Sequence, residues 1–442
     1  ALGAFGQGDD IFPVSNTRQF TAPHAMFWAS PNDGSPSESV LEVDGPSSPI
    51  KRSHFGYTHP HFIGDASATD TAIVARSKAI GPAFVRFPGG NGSNQYFWDG
   101  NLPAAILQDD VITMENLIDP DAYNMGMDEL FQICDSTGAE PVLVVNFSFS
   151  RYGPGEDRVE QAAGYAANWV RYVNQTLDRN VRYWEIGNEN YGPWQAGYMV
   201  EGEQITGTMY GEIFRVFADS MKAADPTIHL GAVIYPLDED YDNWTAQVLP
   251  EVQNDADFLI VHDYFAWSPN ENNISYAEMM ASVSEVTEDA ASVRAMVSQY
   301  TGKSPDHFAL AFTEYNSNTG HREVAMANAL FIARVLLAQI QEGFDLSLIW
   351  NLQSGVAANG GSHGLLARNS PNLPDGTPRP AYFALWLLQR YLGESLVTMA
   401  TNVTGAYAVE TTHANGAKGG ILINTDSQTH TFTWDSPSNA FP

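Results

Sequence analysis

From residue 54 onward the chain alternates short apolar runs with longer amphipathic stretches. Eight runs read as strands: HFGYTHPHF (54–62), AFVRFPGG (83–90), PVLVVNFSF (141–149), VRYWEIGNE (181–189), IHLGAVIY (228–235), DFLIVHDYF (257–265), FALAFTEYN (308–316) and LSLIWNLQS (346–354). Helical patterns lie between them, among them DTAIVARSKAIG, EQAAGYAANWVRYVNQTL, MYGEIFRVFADSMKAAD, EVAMANALFIARVLLAQIQEG and RPAYFALWLLQRYLG. Near-continuous apolar strands that alternate with helices predict a parallel sheet covered on both faces. Eight such units favour a closed barrel over an open doubly wound sheet.

The expected fold is therefore α/β, a (β/α)8 TIM barrel over residues 54–393. Residues 1–53 carry many Asp, Gly, Ser and Pro residues without a clear period. They read as an irregular segment with edge strands at most. After residue 393 the rhythm changes to Thr-, Val- and Tyr-rich runs with Asn-Gly and Asp-Ser turns. Residues 394–442 thus predict a small β-rich, sandwich-like part, either incomplete or completed by N-terminal strands.

Composition changes the picture in one respect. The chain has 52 acidic residues against 21 basic ones, a net charge of −31. Such a surface repels phosphate backbones, which excludes nucleic acid as a partner, and it disfavours sulfated or uronic-acid polymers. No apolar run reaches the length of a bilayer span, so no membrane partner is expected. The expected localisation is secreted or periplasmic with a leader removed, and cytoplasmic is the alternative. Oligomeric state is left open. The single cysteine, Cys134, allows no internal disulfide. His59-Pro60-His61 with Asp65 invites a metal reading, but the proline between the histidines points to a loop. No metal or organic cofactor is expected.

Function in such barrels gathers at the C-terminal ends of the strands. Read in order, those ends carry Arg86 and Asn91 after the second strand, Asn146 after the third, and Glu185, Asn188 and Glu189 on the fourth with Trp194 beyond. The sixth carries His262 and Tyr264 with Trp267 close behind, the seventh Glu314, and the eighth Trp350. Two glutamates at the mouths of the fourth and seventh strands face each other across the barrel. Paired carboxyls about 5–5.5 Å apart are what a retaining glycosidase requires. Amides, a histidine, a tyrosine and tryptophans around them suit the hydroxyls and C–H faces of a neutral sugar. Glu185 lies four residues before Glu189, on the same face of the strand, and reads as a deeper barrel charge.

Asn188-Glu189 and Thr313-Glu314-Tyr315 resemble the catalytic signatures of clan A glycoside hydrolases. Arg86-Phe87-Pro88-Gly89-Gly90-Asn91, followed by Tyr96, Trp98 and Asp99-Gly100, is similar to family 51, which contains α-L-arabinofuranosidases and some endo-β-glucanases. The chain departs from that family in having Thr313-Glu314-Tyr315 where Asp-Glu-Trp is usual. The resemblance implies Glu189 as acid/base with a raised pKa and Glu314 as nucleophile. It also implies that Arg86 and Tyr264 hold Glu314, that Asn188 binds the hydroxyl beside the anomeric carbon, that His262 lines the site and that Trp350 forms a stacking floor. Asn91, Asn146, Trp194 and Trp267 complete the expected substrate-binding set, with a polysaccharide or oligosaccharide as the partner. The alternatives are a marine galactanase or β-agarase of the same clan, and an inactive barrel that only binds carbohydrate.

Overall fold

The structure, a computed structural model, describes residues 11–12, 39–123, 125–237, 240–267 and 270–434. The expectation for residues 1–53 therefore lies largely outside the described residues. Eight strands close into a barrel in chain order: Gly56–Thr58, Phe84–Phe87, Glu140–Val145, Tyr183–Ile186, His229–Val233, Phe258–Phe265, Ala309–Ser317 and Leu346–Ile349. Every pairing around the barrel is parallel, including the closing one, Leu348↔Gly56 and Ile349↔Tyr57.

A helix follows each strand: Thr71–Ile80, Met127–Thr137, Arg158–Arg171, Gly207–Ala224, Trp244–Val252, Glu285–Thr301, Met326–Gln341 and Pro380–Tyr391. Local chemistry sets their ends. The Asp70 carboxylate accepts from the amides of Ala72 (2.8 Å) and Ile73 (3.1 Å), capping the first helix. Gly138 adopts φ +74° and stops the second, as a residue without a Cβ can do at no steric cost. Leu, Ile, Val and Phe from strands and helices form one continuous core.

At the N-terminal end of the barrel Phe12 is fully buried. Its ring stacks on Tyr183 (4.9 Å, 14°) and meets Phe84 and Phe258 edge-on. Beside the barrel lies a separate sheet in the order Lys418–Asn424, Ala406–Thr412, Ser395–Ala400, Ser39–Val43 and Phe432–Trp434. Ser39–Val43 pairs antiparallel with Ser395–Ala400 and parallel with Phe432–Trp434, so residues from both ends of the chain share it. The Tyr407 hydroxyl donates to Gln341 Oε1 (2.6 Å) and ties this sheet to the helix Met326–Gln341. No helix among the described residues is long and apolar enough to cross a membrane.

Candidate active site

The fourth strand ends in a sharp turn. Gly187 has φ +89° and Glu189, a non-glycine residue, has φ +44°. That left-handed conformation is costly for a side-chain-bearing residue and is held here by its surroundings. Tyr191 is buried just beyond and packs against Tyr235, Tyr241 and Trp244. The turn lifts the Glu189 carboxyl above the strand ends, where Trp194 Nε1 (2.9 Å) and Gln195 Nε2 (3.1 Å) donate to Oε2. His262 Nδ1 lies 3.1 Å from Oε1, and its Nε2 lies 2.9 Å from Thr313 Oγ1.

Glu314 stands opposite on the seventh strand. Arg86 Nη1 donates to its Oε1 (2.7 Å), joined by the Gly90 amide (3.2 Å), and the Tyr264 hydroxyl donates to Oε2 (2.7 Å). Arg86 is fully buried and serves two further acceptors: Glu185 Oε2 through Nε (2.7 Å) and Asn188 Oδ1 through Nη2 (2.8 Å). The partner of the deep barrel charge Glu185 is thus Arg86. Because Arg86 fixes Asn188 Oδ1, the Asn188 amide nitrogen is turned away; it is buried and has no protein partner.

An oxygen of Glu189, an oxygen of Glu314 and a nitrogen of His262 all lie within 4.8 Å of one another. Such a trio is also what a metal ion would use. Here each carboxylate already accepts protein donors, and the Arg86 cation sits 2.7 Å from Glu314, which opposes a second cation at the same oxygens. The short separation matches the paired-carboxyl spacing of retaining enzymes and is below the roughly 6.5–9.5 Å of inverting ones.

Burial raises the pKa of Glu189, but the hydrogen bond and charge of His262, the Trp194 donor and the Arg86 charge together outweigh it. The net shift is downward. This corrects the expectation of a raised acid. The reasoning from sequence weighed burial and the neighbouring Glu314 and left out the donors that converge on Glu189. Tyr264 is pushed far up by burial and by the charges of Glu314 and Glu189, so it remains a neutral donor.

A cleft of about 610 Å3 opens over these groups, lined by Asn91, Glu189, Tyr264, Glu314 and Trp350 among others. Arg86, Asn188 and His262 lie buried immediately beneath it. Two expected residues fall elsewhere. Asn146 spends its amide locally, donating to the Tyr152 hydroxyl (2.8 Å) and the Tyr96 carbonyl (3.4 Å) and accepting from the Phe149 amide (3.0 Å). It shapes the turn after the third strand and is not among the cleft-lining residues. Trp267 is 68% exposed and is not among the cleft-lining residues, because its strand has already left the barrel mouth.

Gln195 is a site residue that reasoning from sequence missed. It bonds Glu189, Asn91 (2.7 Å) and Asn94 (2.8 Å), linking the loops after the second and fourth strands. Its place directly after Trp194, in the same strand-end loop, is the signal that was available.

Fold and site resemble those of the clan A glycoside hydrolases. Within that class the chain is similar to family 51. A family model described as "Alpha-L-arabinofuranosidase 1 domain" matches residues 76–284. The chain is 26% identical over 290 residues to an intracellular exo-alpha-(1->5)-L-arabinofuranosidase of Acetivibrio thermocellus, a match covering 63% of this chain and 55% of that protein. It is 22% identical over 360 residues to a probable alpha-L-arabinofuranosidase C of Aspergillus niger, covering 76% and 68%. The chain thus spans about half the length of the first of these relatives, and 33% of a homologous protein from Aspergillus flavus. Among solved structures, a family 51 alpha-L-arabinofuranosidase of Bifidobacterium longum superposes with a TM-score of 0.67 at 16% identity, covering 91% of this chain and 88% of that one. The alpha-L-arabinofuranosidase of Thermotoga maritima gives 0.60 at 22% identity, covering 87% and 80%. At these identities the superpositions speak to fold.

Proposed function

We propose that the chain is a retaining glycoside hydrolase acting on a neutral, arabinofuranose-containing oligosaccharide or polysaccharide. The observation that carries this reading is the pair Glu189 and Glu314, with oxygens within 4.8 Å of each other and opposite hydrogen-bonding regimes. Glu314 accepts from Arg86, Gly90 and Tyr264, which fix its carboxylate in place. Glu189 is held by a histidine, a tryptophan and an amide that it can engage in either protonation state.

In the first step Glu314 attacks the anomeric carbon, the bond to the leaving oxygen breaks, and Glu189 gives that oxygen its proton. In the second step Glu189 takes a proton from water, the water oxygen bonds to the anomeric carbon, and the bond to Glu314 breaks. The unpartnered Asn188 amide is available to the hydroxyl beside the anomeric carbon, and the Trp350 ring to a sugar face. The lowered pKa of Glu189 fits the base role directly, and it requires that the acid role be fulfilled at acidic pH. Export is the localisation we propose.

The test is turnover on an aryl α-L-arabinofuranoside, arabinan, β-glucan and agarose, with Glu314→Ala as control and NMR of the first-formed anomer. Release from the arabinofuranoside with retained configuration supports the reading. Release from agarose alone moves the substrate to a galactan. An inverted product removes Glu314 as nucleophile.

A further inference from the structure

The cleft extends beyond what the reaction at a single sugar uses. Its remaining wall holds His61, Phe62, Gln95, Asn116 and Tyr123, contributed by loops after the first and second strands. Trp194 and Gln195, which hold the proton donor Glu189, come from the loop after the fourth. Because Glu189 protonates the leaving oxygen, the leaving group belongs on the Trp194 side. The His61 wall adjoins Trp350 instead, the Phe62 ring standing 6.4 Å from it, and so continues the cleft from the floor under the sugar that reacts.

His61 is the least ordinary residue there. Its ring stands edge-on to Tyr123 (4.9 Å) and to Phe62 (5.7 Å). Gly92 lies against it so closely that a Cβ at that position would come within 2.0 Å of Cε1. The ring is therefore clamped by three neighbours, yet its Nδ1 is buried without a partner. Burial pushes its pKa down to about 4, so the imidazole is neutral near pH 7. A fixed neutral ring on the cleft wall suits a hydroxyl, to which it can donate or from which it can accept. Tyr123, 38% exposed beside it, offers an aromatic face. Among the described residues no Lys or Arg lines the cleft, so an anionic sugar finds no counter-charge there. At about 610 Å3 the cleft falls in the range of roughly 300–1,000 Å3 that holds drug-sized molecules, room for roughly two sugar rings or more.

We infer that His61, Asn116 and Tyr123 form a second sugar subsite on the non-reducing side of the cleaved bond, so that the chain takes neutral oligosaccharides and releases a disaccharide or longer unit in preference to a single sugar. This rests on the hydrolase reading above and adds to it the length of the glycone.

The experiment follows initial products and kcat/KM over ladders of dimer, trimer and tetramer in the α-1,5-arabino, cello and agaro series, alongside the corresponding aryl monosaccharides. In the ladder that is turned over, kcat/KM should rise about tenfold or more from dimer to tetramer, with a disaccharide as the first small product. Tyr123→Ala should lower the ratio of tetramer to aryl-monosaccharide kcat/KM by about tenfold, while Tyr123→Phe, which keeps the ring, should retain it. Flat kcat/KM with single-sugar release, or a ratio unmoved in Tyr123→Ala, overturns the second subsite and leaves the hydrolase standing. Silence across every ladder and every aryl glycoside overturns the hydrolase reading and the subsite with it.

Discussion

Cavities open at both ends of the barrel, and the larger one is at the end without the paired carboxylates. The N-terminal end holds a space of about 1280 Å3 lined by Cys134, Arg179, Arg182, His229, Arg294 and Lys303 among others; the mouth holds about 610 Å3. At the base the cations are matched to partners beside them: Arg179 to Asp135 (2.8 Å) and Arg294 to Asp306 (2.8 Å). Those pairs are partly exposed and screened, so they contribute little beyond solubility. At the mouth one buried cation, Arg86, is shared by Glu185, Glu314 and Asn188, and polar atoms of Asn188 and His61 are left without partners. Buried polar groups are normally satisfied, so unsatisfied ones that converge on a cleft mark where a ligand completes the set. The comparison teaches that neither volume nor hydrogen-bond completeness alone separates the two ends, since His229 Nδ1 at the base is also buried without a hydrogen-bond partner; what sets the mouth apart is that its unpartnered atoms gather around two carboxylates sharing one buried cation.

The largest test of that contrast removes the nucleophile. Glu314→Ala should lower turnover by about 10⁴-fold or more while barely moving the thermal midpoint, because Arg86 keeps Glu185 as a counter-ion. A collapse of the fold in circular dichroism would mean that Glu314 is structural. Next in size, Glu189→Ala should cost about 10²–10⁴-fold on oligosaccharides and distinctly less on aryl glycosides with good leaving groups, which need little acid assistance. Equal losses on both would remove Glu189 as the acid.

Much of the mouth was legible in the chain because strand ends are marked by abrupt changes from apolar to polar residues. Six of the eight barrel strands fall inside the apolar runs that predict them, and the other two, Glu140–Val145 and Ala309–Ser317, each extend one residue beyond theirs. The runs overshoot where backbone chemistry intervenes. The first strand stops at Thr58, since Pro60 has no amide to continue the ladder, and the fourth stops at Ile186, before the positive φ of Gly187. Side-chain direction was less legible. Asn91 and Asn146 look alike as asparagines at strand ends, yet one bonds Gln195 in the cleft and the other closes its own turn. Glu185 announced itself by alternation with Glu189, but its partner Arg86 lies 99 residues away, and only the closed barrel brings them together. The net direction of the Glu189 shift depends on His262, Trp194 and Arg86 at once, a convergence no spacing encodes.

The base has its own test, which should leave chemistry untouched. Phe12 is fully buried against Phe84, Tyr183 and Phe258, so Phe12→Ala should cost about 3–5 kcal/mol of stability. Denaturant midpoints measure the loss, and kcat/KM of the remaining folded protein should equal that of the wild type. A drop in kcat/KM would show that the two ends are coupled through the strands.

The finest test concerns pH. The kcat/KM profile reports groups of the free protein, and the first step needs Glu189 protonated, so activity on oligosaccharides is lost as pH rises through its pKa. That pKa is lowered in the intact site, which puts the loss at acidic pH. Burial alone would raise it, and the hydrogen bond and charge of His262 are the leading opposing influences. In His262→Ala burial should prevail, and the basic limb of kcat/KM should move to higher pH even as the rate at the optimum falls. Aryl glycosides that need no acid should lack that limb in both proteins. A limb on oligosaccharides that stays where it was would assign the lowering to Trp194 and Arg86, and would make His262 a wall of the site with no hold on its proton.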